Sequence, residues 1–309
     1  MKKKTVIIFL SAAVFVFFVF VFQYKKHSET LRAEKSERLE KRRAAWLDLK
    51  GLLEKEISNF NGQSAIIIKD LNTGWQYSYN KEAMFPSASL VKIPIMAACF
   101  YAADKGKISL QDKLTLESSS KAPGSGILKN LPAGRNFSVE KLIELMITKS
   151  DNTATNMLTD FLGMDYINAF FKSEGLLKTN LSRSMMDFRY RKKGVENYTT
   201  AADIACILEK IYQRRFINKR VSEKCLSLLL RQKVNDRIPK KLPEETIVAH
   251  KTGLERHVCH DAGIVFTPLG HVLICVLTKS KNKAKKAKEF ISNIALHIYS
   301  NYQTLNHSS

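Results

Sequence analysis

The sequence predicts an α/β (α+β) sandwich: a five-stranded antiparallel sheet flanked by the N- and C-terminal helices, with an inserted all-helical lobe. Three observations lead there. Two strand-like runs, Ser64–Asp70 and Trp75–Tyr79, stand near the start, and three more, Thr246–Lys251, Asp261–Thr267 and Val272–Thr278, stand near the end. Between about Ser89 and Arg215 the apolar residues recur at helical spacing instead. An amphipathic stripe precedes the first strands and another follows the last, so each can cover the sheet.

Taken in order, Met1-Lys2-Lys3-Lys4 leads into Thr5–Phe22, an uncharged apolar run of eighteen residues. That length just suffices to cross a bilayer as a helix. A cleaved signal peptide is the rival reading, yet Val19 to Gln23 offers none of the small residues that a cleavage site needs. The expectation is a single-pass anchor through residues 5–22 of an N-terminal segment 1–23. Lysines on both sides of the run, Lys2 to Lys4 and Lys25 with Lys26, leave its orientation open by charge. Residues 24–44 form a spacer dense in both signs of charge. Glu34 four before Arg38 and Glu37 four before Lys41 support an exposed helix, with a disordered tether as the alternative.

A folded domain is expected over 45–309. Trp46, Leu49, Leu53 and Ile57 form one helical stripe, and Asn72-Thr73-Gly74 is the turn of a hairpin between the first two strands. Helix-period positions mark Val139–Ile147, Ala154–Leu162, Tyr166–Phe171, Ala201–Tyr212 and Val221–Arg231. Pro268-Leu269-Gly270 reads as a tight turn, and Ala284–Tyr302 carries Ala287, Ile291, Ile294 and Ile298 on one face. The lysines from Lys279 to Lys288 read as a solvated face.

Fifty basic residues against 29 acidic ones give a net charge of +21 over 309 residues. No zinc-finger spacing or aromatic-rich motif accompanies that charge, so nucleic acid is not an expected partner and an anionic envelope surface is. The five cysteines, Cys99, Cys206, Cys225, Cys259 and Cys275, are odd in number and contain no C-x-x-C. They do not describe a disulfide framework, and Cys99, Cys206 and Cys275 in apolar runs read as small core residues.

The chemistry centres on Ser89-x-x-Lys92 within Phe85-Pro86-Ser87-Ala88-Ser89-Leu90-Val91-Lys92. If Pro86 opens a helix here, Ser89 and Lys92 share one face, and a partly desolvated amine can take the proton that makes a hydroxyl nucleophilic. Ser150-Asp151-Asn152 follows the helix that ends near Ile147, and Lys251-Thr252-Gly253 ends a strand. This ordered trio of motifs resembles the penicilloyl serine hydrolases, and the class A β-lactamases most closely, over about Trp46 to Tyr302.

The resemblance implies Ser89 as nucleophile and Lys92 as its proton acceptor, with Ser150 and Lys251 passing a proton to the leaving nitrogen. It implies Asn152 and Thr252 as substrate contacts, and the backbone N–H groups of Ser89 and of Leu254, after Gly253, as an oxyanion hole. No cofactor is implied. The substrate is a β-lactam or the D-Ala-D-Ala end of a peptidoglycan stem peptide, and a non-catalytic envelope-binding protein is the alternative from another class. With the expected anchor, this places a monomeric catalytic domain on the outer side of the cytoplasmic membrane.

Two features depart from the pattern or compete with it. The Glu-x-x-Leu-Asn pattern that carries the deacylating glutamate of class A enzymes is missing ahead of Tyr198-Thr199-Thr200, which leaves Asp187 and Glu196 as the carboxylates at hand. His257, His260 and Asp261 resemble a metal set, but they cross a loop entering a strand and lack a third strong ligand, so no metal is expected.

Overall fold

The computed structural model describes the backbone of residues 2–267, 270–281 and 284–304, with side chains from residue 20 onward within those spans except at positions 38, 303 and 304. Helix α1, Lys2–Asn59, runs through the expected boundaries at 23 and 44 without a break. Strands β1 (Gln63–Asp70) and β2 (Gln76–Tyr79) form the expected hairpin. The chain then enters the lobe through a two-residue strand, β3 (Phe85–Pro86), a 3-10 turn over Ala88–Val91, and helix α2 (Lys92–Asp104).

A small ladder of β4 (Lys113–Thr115) with β5 (Asn136–Ser138) precedes α3 (Val139–Thr148), α4 (Asn152–Leu162) and α5 (Met164–Ser173). The short helix α6 (Phe188–Lys192) lies in a long loop that ends at β6 (Tyr198–Thr199), followed by α7 (Ala201–Tyr212) and α8 (Lys219–Leu230). Strands β7 (Ile247–Glu255), β8 (Val258–Thr267) and β9 (Gly270–Lys279) return the chain to the sheet, and α9 (Ala284–Thr304) closes it.

The sheet order is β2-β1-β9-β8-β7, antiparallel throughout, as expected. Alternation along the strands divides the interior into two cores. On one face Ile66, Ile68, Val272, Ile274 and Val276 pack with Leu49 and Leu53 of α1 and with Phe290, Ile291, Ile294 and Ile298 of α9. On the other face Ala65, Ile67, Ala262, Leu273 and Cys275 pack against the lobe, whose centre is α2. Ile93, Ile95, Met96, Ala97, Ala98 and Cys99 of α2 are all fully buried, which is why that helix is apolar on every side.

Asp70 ties the hairpin to α1 and to the last turn of α9. Its carboxylate accepts from Arg42 Nη2 at 2.8 Å, from the Tyr302 hydroxyl at 2.5 Å and from the backbone N–H groups of Asn72 and Thr73. All five cysteines are free; Cys206 differs from the core role expected of it in being only partly buried.

The membrane placement expected from the sequence is corrected. Among the described residues no helix is long and apolar enough to cross a membrane. The described side chains of α1 begin at Phe20, and beyond Phe22 the helix carries Lys25, Lys26, Glu29, Arg32 and Glu34, a charge density that a hydrocarbon layer rejects. The side chains of the apolar run as far as Val19 lie outside the described residues, as do Pro268 and Leu269 of the expected turn. The single-pass, outward-facing localisation goes with that anchor.

Leu53 is fully buried between α1 and the sheet. Leu53→Ala should lower the unfolding free energy by about 2–5 kcal/mol, the usual cost of emptying a leucine site in a core. Urea denaturation reads this directly, and an unchanged midpoint would show that α1 does not cover the sheet.

Candidate active site

Pro86 does not open a helix. It pairs as an edge residue of β3 with Tyr198 of β6, where its missing N–H costs nothing, and Ser87 N–H donates to Asn197 O at 2.8 Å. Ala88 then turns the chain through φ +45°, and the α-helix starts at Lys92. Ser89 thus sits half-buried in the 3-10 turn, while Lys92 is fully buried at the head of α2.

Ser150 lies between α3 and α4 with φ +52°. Asp151 holds that turn: its Oδ1 caps α4 by accepting from Ala154 N–H at 3.0 Å, and its Oδ2 accepts from Ile127 and Leu128 N–H at 2.6 and 2.9 Å. Because Asp151 does the capping, Asn152 is free for the cleft. Its Oδ1 accepts from Lys92 Nζ at 2.7 Å and its Nδ2 donates to Pro123 O at 2.8 Å.

Strand β7 brings in the third motif. Lys251 Nζ lies 2.9 Å from Ser150 Oγ and donates to Thr252 O at 2.9 Å. Lys92 Nζ reaches the same hydroxyl at 3.2 Å and donates to Ser150 O at 2.7 Å. A Cβ at Gly253 would stand 3.3 Å from the Ala88 Cβ and from the His260 ring, so glycine lets β7 approach the Ser89 turn closely. Thr252 is buried and Leu254 exposed beside that contact.

The three motifs therefore meet around one hydroxyl. Burial, and then the like charge of Lys251, hold the Lys92 amine well below its ordinary value of 10.5. Burial pushes Lys251 down to about 7. A neutral Lys92 has two N–H donors, which match its two pure acceptors, Ser150 O and Asn152 Oδ1, and leave its lone pair free.

The other candidates are elsewhere engaged. Glu196 is buried, and its Oε1 accepts from Arg183 Nε at 2.9 Å, Arg183 Nη2 at 2.5 Å and Asn197 N–H at 2.9 Å, while its Oε2 pairs with Arg191 Nε at 3.1 Å. Asp187 caps α6 through Arg189 and Tyr190 N–H. His257 is in the β7–β8 turn, and His260 and Asp261 lie on β8, a longer strand than the sequence suggested. His260 Nε2 donates to Pro86 O at 2.8 Å and its Nδ1 accepts from Thr278 N–H at 3.1 Å, a neutral ring whose pKa burial lowers to about 4. Asp261 instead takes His250 Nδ1 at 2.9 Å and Ile238 N–H at 3.0 Å. Among the described residues no group of His, Cys, Asp and Glu is arranged to hold a metal.

The profile of the β-lactamase enzyme family matches residues 48–302. The β-lactamase VEB-1 of Pseudomonas aeruginosa is 23% identical over 270 residues, 81% of this chain and 89% of that protein. A β-lactamase from Sphaerobacter thermophilus superposes with a TM-score of 0.75 at 29% identity, covering 84% of this chain and 98% of the other. A mutant of PBP-A, solved as an acyl-enzyme complex with penicillin G, gives a TM-score of 0.75 at 28% identity over 83% of this chain and 96% of the other.

The buried amine of Lys251 gives stability a definite dependence on pH. Between about 7 and 10.5 the unfolded chain holds this proton and the folded chain does not. Its unfavourable contribution is therefore fully present below 7 and fades as pH rises to 10.5. The stability of the parent relative to Lys251→Met should rise from pH 7 to pH 10. Parallel pH profiles in denaturant titrations would show that the amine is not desolvated.

Proposed function

The chain belongs to the β-lactamase enzyme family, and we propose on that premise that it is a serine hydrolase that takes the acyl group of a β-lactam onto Ser89 and passes it to water. The observation that carries this reading is the Ser150 hydroxyl held between two buried amines, Lys92 and Lys251. As Ser89 Oγ bonds to the β-lactam carbonyl carbon, Lys92 takes its proton. The C–N bond then breaks, and the ring nitrogen receives a proton through Ser150, which Lys251 resupplies. The N–H groups of Ser89 and Leu254 serve the developing oxyanion. Asn152, with one N–H left after Pro123 O is satisfied, meets the acyl amide, and Thr252 and Lys251 meet the substrate carboxylate.

The second half of the reaction is less well provided. Three hydrogen bonds converge on Glu196 Oε1 and Arg191 pairs with its Oε2, and Asp187 is committed to its cap. Neither is poised to activate water, so the acyl-enzyme should accumulate. The same observation favours a second reading, a penicillin-binding peptidase whose ester on Ser89 forms from a D-Ala-D-Ala stem peptide and which β-lactams trap.

A fluorescent penicillin should label the parent covalently, Ser89→Ala should not be labelled, and Ser150→Ala should acylate about 10²- to 10⁴-fold more slowly, the range for losing a proton-transfer group. Nitrocefin should give a burst near one equivalent and then a slower steady rate. Fast linear turnover without a burst would show that another group supplies the deacylating base, and a burst with no turnover would favour the peptidase. A parent that no penicillin labels would leave a binding role for the cleft.

A further inference from the structure

The sheet edge farthest from Lys251 carries a second opening. Strand β7, which bears Lys251, ends the sheet on one side, and β2 ends it on the other. Near β2 the lobe-facing side of β1 and β9 meets α7 around a cavity of about 300 Å³, at the lower end of the volumes that ligand pockets show. Ala202, Ala205, Cys206, Glu209 and Lys210 recur at helical spacing, so one face of α7 forms a wall. Ile67, Leu273 and Ala205 are buried in its floor. Burial raises the Cys206 thiol above its ordinary value, so it adds no charge there near pH 7.

The rim is basic, and half of its charge is already balanced. Lys69 Nζ donates to both oxygens of Glu209 at 2.8 and 2.9 Å, and Lys210 Nζ donates to the carbonyl and the carboxylate of Glu174 at 2.9 Å each. Lys81 and Arg215, both exposed, have no acidic partner among the described residues. Arg215 Nη2 donates only to the neutral Gln213 amide, and Glu82, beside Lys81 in the chain, pairs with Lys178 at 3.2 Å. Two uncompensated cations therefore stand at the mouth of an aliphatic floor. Among the described residues no aromatic side chain lines the cavity, so a ring would find no face to stack on.

From this arrangement we infer that the cavity binds an aliphatic carboxylate, a fatty-acid-like anion whose chain lies on Ile67, Leu273 and Ala205 and whose head meets Lys81 and Arg215. An inorganic anion would match the two cations and leave the floor in water, whereas a neutral alkyl chain would cover the floor and leave the cations unmatched. A carboxylate with an apolar chain satisfies both, and the planar fork of Arg215 suits a carboxylate in particular. Nothing in this recognition requires the acylation of Ser89.

The test is a calorimetric titration of the whole chain with octanoate and, separately, with octanol and with inorganic phosphate. Octanoate should fill a single site and bind more tightly than either control. In the double variant Lys81→Gln, Arg215→Gln its dissociation constant should rise about tenfold or more, the scale of losing charge-assisted hydrogen bonds. Both side chains are exposed, so the variant should fold as the parent does. Octanoate should also slow the addition of the Cys206 S–H across the double bond of N-ethylmaleimide, a reaction that singles out this thiol because the other four are buried. Absence of octanoate binding, equal affinity for octanol or phosphate, or an unchanged constant in the double variant each overturns the inference. Octanoate that binds the parent and leaves the Cys206 reaction at its former rate sits elsewhere, which overturns it as well.

Discussion

The cleft depends on a hydroxyl wedged between two buried amines. Two like charges removed from water at this spacing would repel strongly and lose their hydration, and relief comes by giving up protons. Ser150 Oγ makes that state useful, because one oxygen can donate to the free pair of Lys92 while accepting from Lys251. The cost of the arrangement falls on the backbone around it. Ser150 and Ala88 both hold φ near +50°, where residues with a Cβ rarely rest, and each is over-determined by neighbours: the Asp151 carboxylate for the first, the β3–β6 ladder for the second.

Those neighbours belong to different parts of the molecule. Lys92 stands on the lobe's central helix, Ser150 on a turn between two other lobe helices, and Lys251 on a strand at the edge of the sheet. The distances among them are set by how the lobe docks on the sheet through Ala65, Ile67, Ala262 and Leu273. His260 reinforces that docking from the sheet side. Its ring links Thr278 N–H on β9 to Pro86 O just before the Ser89 turn, and burial, which lowers its pKa to about 4, keeps it neutral at pH 7.

Much of this was readable in the amino-acid order, because spacing encodes it. The five strands, the helical stretch between them and the three short motifs follow from periodicity and chain order, and the structure brings Lys92, Ser150, Asn152 and Lys251 into contact. What could not be read depends on partners distant in sequence. Glu196 differs in that its partners, Arg183 and Arg191, lie in its own loop, and it is the fold of the loop that turns them onto its carboxylate. His260 suggested a ligand because its partners are a carbonyl 174 residues away and an amide on the next strand. Pro86 pointed to a helix start since a proline suits that position, and β6, more than a hundred residues later, claimed it for a ladder. The apolar run at the N-terminus was read by composition alone, whereas the described part of α1 is a charged helix continuous with the one that covers the sheet.

The carboxylate of Glu196 faces guanidinium groups on both of its oxygens. A carboxylate activates water only if a lone pair faces the reacting centre. Arg183 and Arg191 together carry two positive charges, and Glu196 and Glu255 balance them within a nearly buried cluster. Removing either acid would leave an excess cation in a poorly solvated place. The polar contacts of Glu196 run to Arg183, Arg191 and Asn197, so its charge fastens the loop.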